Sequence, residues 1–309
     1  MTFGYDHPLY ILPFDHRESY ITGMFHFTPP LTKDERDIVA ESKRVIYEGF
    51  RQALGSGVPT PRAGILVDEE FGAGILRDAT ARGYVTALST EKSGSDEFEF
   101  EYGTAFATHI EAFAPTFAKV LVRYNPEDDA ALNQRQTARL KQLSDYCRAA
   151  DQRFMFELLV PATKAQMDGV QGNKPAYDGR IRPELMIQTI RTLQDAGVEP
   201  DVWKIEGLDR REDCERMVET VRRDGRNEVS CIVLGRGADE KKVVTWLETA
   251  ASVPGFIGFA VGRTTFWDAV ADYEAHKMTK AEASTRVAQR FREWASIFER
   301  TRSLPQGVA

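Results

Sequence analysis

A chain of 309 residues that is 42% hydrophobic and 28% charged has enough apolar material for a full-sized core and lacks the composition of a disordered chain. Its formal net charge of -7 argues against wholesale wrapping of nucleic acid or an anionic membrane, while leaving room for a locally basic cleft that takes an anionic small molecule. No window reaches the roughly 18 uninterrupted apolar residues of a membrane helix, and the opening MTFGYDHPLYILPFDH has no basic region leading into a long apolar run, so a cytoplasmic protein is expected.

Short apolar runs alternate with amphipathic stretches along the chain. The first strand is predicted in YILPFDH from Tyr10, followed by a helical pattern over residues 33–54. AGILVDE from Ala63 is the second strand, and the interval 71–82 behind it has room for a short helix at most. YVTALSTEK from Tyr84 precedes a helix over 103–114, FAKVLVRYN from Phe117 one over 132–149, and RFMFELLVP from Arg153 one over 183–196. VWKIEGL from Val202, SCIVLGRG from Ser230 and GFIGFAVGR from Gly255 complete the strands, with helices over 210–223, 239–251 and 280–300. Pro183 suits a first helical turn and Gly197 a left-handed cap, while Thr279 and Glu282 have the spacing of a capping box.

Eight strands in βα alternation, several of them apolar on both faces, imply a parallel sheet, and eight is the count that closes a barrel. The expected fold is therefore α/β, a single-domain (β/α)8 TIM barrel over residues 1–309, with a doubly wound open sheet as the competitor; no Gly-, Pro- or Ser-rich linker divides the chain. The irregular insertions 90–102 and 163–182 both follow strand C-termini, the face on which barrels carry their chemistry.

Cys147, Cys214 and Cys231 match no CxxC pattern and are expected as buried reduced thiols. The five histidines have no metal-ligand spacing; a magnesium site built on Asp68, Glu69 and Glu70 is the one metal alternative, set against local hydrogen-bonding roles for those residues at a strand end.

The strands carry an anomaly. Side chains alternate across a strand, so Lys204 and Glu206 share a face with Val202 while Trp203 and Ile205 face the other way. The same rule places Lys119, Leu121 and Arg123 together, and Met155, Glu157 and Leu159 together, with Phe154, Phe156 and Leu158 outward. Three neighbouring strands thus aim Lys119, Arg123, Glu157, Lys204 and Glu206 at one axis. A buried ionic network gains little stability over apolar packing, so a cluster of this kind is better explained by chemistry. A lysine kept partly neutral by burial and by a second cation such as Lys119 is a nucleophile toward carbonyl carbon, and Glu157, its pKa lifted by burial, would move protons for it. At the chain's far end, Gly262 with Arg263, and Gly235 with Arg236, read as backbone turns with fixed cations suited to a phosphate.

PFDHR, TEKSG, AKVLVRY, FELLVP, WKIEG and VGRTTFWDA together resemble the class I aldolases that include tagatose-1,6-bisphosphate and sulfofructosephosphate aldolases. The likeness is strongest to the aldolase-like domain fused to 5-dehydro-2-deoxygluconokinase. The resemblance implies that Lys204 is the Schiff-base lysine, Glu157 the acid/base, Lys119 an accessory lysine, and Asp15 with Arg17 the polar end of the first strand. It assigns Glu91 in TEKSG to substrate binding and Gly262 with Arg263 to phosphate. His16 stands where the tagatose enzymes would have glutamine. The implied substrate is 2-deoxy-5-keto-gluconate 6-phosphate, cleaved without a cofactor or metal to dihydroxyacetone phosphate and malonate semialdehyde; tagatose bisphosphate, sulfofructose phosphate and a non-catalytic sugar-phosphate sensor are the alternatives. Arg123, Arg180 and Arg182 are candidates for the substrate's far carboxylate. The implied partners are a phosphorylated small molecule and further copies of this chain, with neither nucleic acid nor membrane.

Overall fold

The computed structural model of the protein describes residues 3–303. Strands β1 (Leu9–Pro13), β2 (Ala63–Val67), β3 (Val85–Ser89), β4 (Phe117–Arg123), β5 (Arg153–Leu159), β6 (Val202–Glu206), β7 (Ser230–Leu234) and β8 (Phe256–Ala260) pair in parallel with their sequence neighbours. β8 returns to pair with β1, so the sheet is the closed (β/α)8 barrel and not the open alternative.

Around it run α1 (Glu18–Met24), α2 (Lys33–Gly55), α3 (Glu69–Ala81), α4 (Phe106–Phe113), α5 (Ala130–Ala149), the short α6 (Lys164–Gly169) and α7 (Lys174–Ala176), α8 (Arg182–Asp195), α9 (Arg211–Val221), α10 (Glu240–Ala251), α11 (Arg263–Glu274) and α12 (Lys280–Arg302). The expectation of at most a short helix after β2 is wrong: α3 has 13 residues. Gly72 and Gly74 weaken its local pattern by up to about 1 kcal/mol each. The Asp68 carboxylate offsets this by accepting from the Phe71 N–H at 2.8 Å, and Phe71, Ile75, Leu76 and Ala79 are buried. The Thr279–Glu282 capping box forms as expected.

Alternation along the strands divides the interior in two. Outward residues such as Tyr10, Leu12, Val120, Phe156, Trp203 and Phe259 form the core under the helices. Inward residues Leu9, Ile11, Leu66, Phe117, Met155, Val202 and Ile232 fill the lower barrel, where Tyr5 meets Phe117 edge-on at 5.1 Å. The strand register sets Leu121, Glu157 and Lys204 side by side above this plug. Charged side chains on the inward face therefore lie at the C-terminal mouth, over an apolar floor.

The helices α2 and α12 approach closely: Ser284 donates to the Val45 carbonyl at 3.0 Å. A Cβ on Gly49 would fall 2.7 Å from the Ser284 carbonyl oxygen, a backbone atom that cannot move without shifting a helix. Gly74, also inside a helix, has nothing within 4 Å of that position. Gly49→Ala is therefore expected to destabilise by roughly 1–3 kcal/mol through overpacking, whereas Gly74→Ala should stabilise by up to about 1 kcal/mol through helix propensity. Thermal melts should rank Gly74→Ala above the parent and Gly49→Ala below it; the reverse order would contradict the helix packing.

Candidate active site

Five strand-borne or strand-end side chains converge at the barrel mouth. Lys119 Nζ donates to Asp15 Oδ2 at 2.7 Å and to Glu91 Oε1 at 2.8 Å, and lies 3.0 Å from Glu157 Oε2. The same Glu157 oxygen accepts from Lys204 Nζ at 2.7 Å. Three carboxylates thus share two ammonium groups, and both lysines are buried, Lys119 at 0% exposure and Lys204 at 3%. Inward parity brings Lys119, Glu157 and Lys204 here. Glu91 arrives because Thr90, at the end of β3, donates its N–H to the Lys119 carbonyl at 2.9 Å and carries the chain across the mouth.

Burial disfavours every charge in this cluster, and the outcome depends on which neighbours oppose it. For Lys119, burial alone would lower the pKa, but Asp15, Glu157 and Glu91 together outweigh it and hold the amine above the ordinary lysine value. For Asp15, burial is overcome by Lys119 and Lys204, and the carboxyl sits well below its usual range. Burial wins at Glu91, whose pKa is raised despite Lys119, with Asp15 adding to the rise. At Glu157, burial is outweighed by Lys119 and Lys204, and the pKa is lowered. The sequence-based expectation of a lifted Glu157 pKa is thereby corrected, because two cations share one oxygen of that carboxylate. Burial pushes the neighbouring His16 imidazole down to about 4, opposed by Asp15 and reinforced by Arg263 and Lys204.

A cavity of about 570 Å³ opens above the cluster, within the range of small-molecule sites. Asp15, His16, Glu157 and Lys204 lie on its wall; Lys119 does not, being sealed behind its carboxylates. Lys204 is thus the amine that meets whatever enters the cavity, and Lys119 the cation that holds the acids together. On one side, residues 93–95 line the wall within an antiparallel excursion in which Glu91 bridges to Phe100. Glu97 anchors this excursion to α5 through Arg135 at 2.7 Å and Arg139 at 2.5 Å. On the opposite side lie Gly235, Arg236, Gly237, Gly262 and Arg263, where Gly262 caps α11 without a side-chain partner.

Arg17, Arg123, Arg236 and Arg263 all reach the cavity wall. Arg17 is held by Glu101 at 2.6 Å and by the Glu91 carbonyl at 2.5 Å, so it braces the excursion. Arg236 pairs with Glu206 at 2.7 Å and Asp178 at 2.8 Å. Arg123 donates to the Ser95 carbonyl at 3.2 Å and Arg263 to the Arg236 carbonyl at 3.3 Å. Glu206 departs from the expected common cluster: it accepts from the Val160 N–H at 2.9 Å and belongs to the Arg236 network. Arg182 is buried, with Gly207 and Asp178 as partners, and Arg180 and Arg182 are absent from the cavity wall. The serines of residues 93–95 are not singled out by the sequence, although Glu91 and the insertion that contains them are.

The acidic run after β2 diverges. Asp68 pairs with buried Lys43, Glu69 with His109 at 2.8 Å, and Glu70 with Arg36 at 2.8 Å. These are the local roles expected for strand-end acids, and among the described residues no cluster of histidines, cysteines and acids has the arrangement of a metal site. The three cysteines are buried and unpaired, and burial pushes the Cys147 and Cys214 thiols up to about 12. Among the described residues no helix is long and apolar enough to cross a membrane.

Similar folds occur among solved structures. Fructose-bisphosphate aldolase from Plasmodium falciparum superposes with a TM-score of 0.65 at 14% identity, covering 93% of this chain and 89% of that one. An archaeal fructose 1,6-bisphosphate aldolase gives 0.57 at 13%, covering 94% and 96%. A Schiff base forming fructose-1,6-bisphosphate aldolase gives 0.54 at 13%, covering 91% and 93%. At such identities the likeness is one of fold. A search of the curated proteins finds no match. Residues 5–302 match the profile of a family described as "Uncharacterized protein conserved in bacteria (DUF2090)", and the chain belongs to that family.

Proposed function

We propose that the protein is a class I aldolase acting on a phosphorylated keto-sugar or keto-acid. One observation carries this reading: a lysine amine on the wall of a barrel-mouth cavity, 2.7 Å from a buried glutamate that is itself held by a second lysine. The fold shared with fructose-bisphosphate aldolases supports it. Of the candidate substrates, 2-deoxy-5-keto-gluconate 6-phosphate is favoured by the sequence resemblance.

The residues account for each proton. Glu157 takes a proton from the Lys204 ammonium, and the freed amine adds to the ketone carbon to form a carbinolamine. The same proton returns to the carbinolamine hydroxyl, which leaves as water to give an iminium. The bond between the two carbons beyond the ketone then breaks, its electron pair flowing to the iminium nitrogen to form an enamine. The hydroxyl on the departing carbon loses its proton to Glu157, with Asp15 on the same wall as the second acceptor, and becomes the aldehyde. Protonation of the enamine carbon and addition of water release the second product and regenerate Lys204. Neutral His16 lies between this centre and the Gly262–Arg263 turn, which would hold the phosphate.

Incubation with dihydroxyacetone phosphate and borohydride should attach a reduced three-carbon phosphate to Lys204, read by peptide mass spectrometry, with no adduct in Lys204→Met. Absence of the adduct in the parent protein would remove the proposed chemistry.

Lys119→Met tests the supporting cation. Removing it leaves three buried carboxylates with Lys204 and, 3.9 Å from Glu91, Arg17 as their remaining cations, and an expected loss of roughly 3–5 kcal/mol at pH 7. The folded pKa values of Asp15 and Glu157 are lowered, so their contribution is present above the usual carboxylate range and lost as pH falls. The deficit of the variant, measured by denaturant titration, should therefore shrink toward pH 3; a pH-independent deficit would point to lost packing instead.

The pH–rate profile gives a further check. Without Lys119 the burial of Glu157 is opposed only by Lys204, so the acid limb of kcat/KM should move to higher pH in Lys119→Met. An unmoved limb would assign it to another group.

A further inference from the structure

A further buried ammonium lies behind the cavity, and the steps of the proposed reaction leave it unused. Lys43, on α2, is 0% exposed and is not on the cavity wall. Its Nζ pairs with the buried Asp68 carboxylate and donates to the His16 carbonyl at 3.0 Å. The rings of Phe71 and Tyr20 flank the charge at 5.4 and 5.8 Å, and the hydroxyls of Tyr20 and Ser42 meet at 2.9 Å. Two consecutive residues of α2 therefore hold the connection from β1 into α1. That connection is short and carries three residues of the site. The Phe14 N–H still donates to the Leu66 carbonyl of β2 at 2.8 Å, and α1 begins at Glu18; Asp15, His16 and Arg17 lie between, in neither strand nor helix. Asp15 accepts from Lys119, His16 lines the cavity and Arg17 clamps the 90–102 excursion. The His16 ring gains no hold through Nδ1, which is buried without a hydrogen-bond partner, and it meets Phe266 edge-on at 5.8 Å. Its place thus depends on its backbone, which the charge-assisted bond from Lys43 fixes at the middle of the turn. A buried ion pair adds little stability over apolar packing; what an apolar side chain could not supply here is a donor for that carbonyl.

We propose that Lys43 is a positioning residue: through the His16 carbonyl it sets where the 15–17 turn stands, and so the reach of the Asp15 carboxylate and the His16 imidazole toward a carbon chain held on Lys204. The inference rests on the aldolase reading above and deepens it by dividing the site into two halves held from different directions. Lys204 and Glu157, which form the imine, stand on β6 and β5 and are joined to each other directly. Asp15 and His16 belong to the turn, and they face the steps after imine formation, in which protons move at the carbons beyond the iminium. Displacing the turn should therefore slow those later steps while leaving imine formation intact, because proton transfer depends steeply on placement.

Dihydroxyacetone phosphate alone reads both halves. The rate of borohydride trapping on Lys204 measures imine formation. Exchange of hydrogen for deuterium at the hydroxymethyl carbon, followed by proton NMR in deuterium oxide, measures the next step: a proton leaves that carbon as its bonding pair shifts toward the iminium nitrogen, and a solvent deuteron replaces it. Lys43→Met alone would strand the Asp68 carboxylate, so the test uses Lys43→Met/Asp68→Asn, which removes both charges together and keeps a side-chain cap on α3. The double variant is expected to melt as one cooperative unit, to trap within roughly threefold of the parent rate, and to exchange at least about tenfold more slowly. Asp68→Asn by itself leaves the donor to His16 in place and should exchange near the parent rate. A double variant that exchanges at the parent rate, that loses trapping and exchange in equal proportion, or that fails to fold overturns the inference and makes Lys43 a stabilising residue only. An equal slowing in Asp68→Asn overturns it too, by assigning the effect to the acid, as does a parent that forms the adduct without exchanging. No adduct in the parent refutes the aldolase chemistry itself, whereas an adduct in the parent with unaltered exchange in the double variant refutes only the role of Lys43.

Discussion

The Lys119 ammonium, ringed by Asp15, Glu91 and Glu157 and closed off from solvent, is the contact from which the rest of the mouth is organised. Its carboxylates come from the ends of β1 and β3 and from β5, so one cation ties together three strands whose acids would otherwise repel one another in a medium of low polarity. The apolar layer of Leu9, Phe117, Met155 and Val202 beneath the cluster keeps water out from below and sharpens these interactions. Such a cluster is poor economy for stability alone, since apolar residues of similar volume would pack as well. Its value lies in holding Glu157 where one oxygen touches both Lys119 and Lys204.

That arrangement changes what Glu157 can be. Burial by itself would favour a protonated acid, but two ammonium groups at 2.7–3.0 Å keep it ionised in the resting protein. An ionised glutamate in contact with an ammonium forms a pair able to exchange one proton, and a buried pair does so without reorganising solvent. Glu91, held by the same lysine, forms no hydrogen bond or ion pair with Lys204, and there burial prevails and the pKa is raised. The role of Lys119 is therefore electrostatic support, exerted from behind the cavity wall.

Around this centre, loop residues line the cavity. The excursion at residues 90–102 and the turns after β7 and β8 face each other across the mouth, and Arg123 at the end of β4 and Arg263 at the start of α11 have no carboxylate partner among the described residues. Other arginines are used to stiffen the scaffold: Arg17 clamps the excursion, while Arg182 and Arg236 knit Asp178 and Glu206 into the region behind β6. Positive charge alone thus did not mark which arginines face the cavity. Arg180 and Arg182 looked equivalent to Arg123 in the sequence, but of the three only Arg123 reaches the cavity wall.

Strand alternation is a local property, set by backbone geometry two residues at a time, and it was enough to assign the barrel, the outward faces of β4, β5 and β6, and the inward direction of Lys119, Glu157 and Lys204. Local caps likewise marked α12 correctly, whereas α3 escaped notice because its helical state is secured by burial against neighbours that the local pattern of Gly72 and Gly74 does not reveal. Which acids meet which lysines, the downward shift of Glu157, the withdrawal of Glu206 to Arg236 and the exclusion of Lys119 from the cavity wall were decided by the closed barrel. Those outcomes are sums of charges a few ångströms apart on strands far apart in sequence, and no residue's type or spacing contains the sum until ring closure has set the distances.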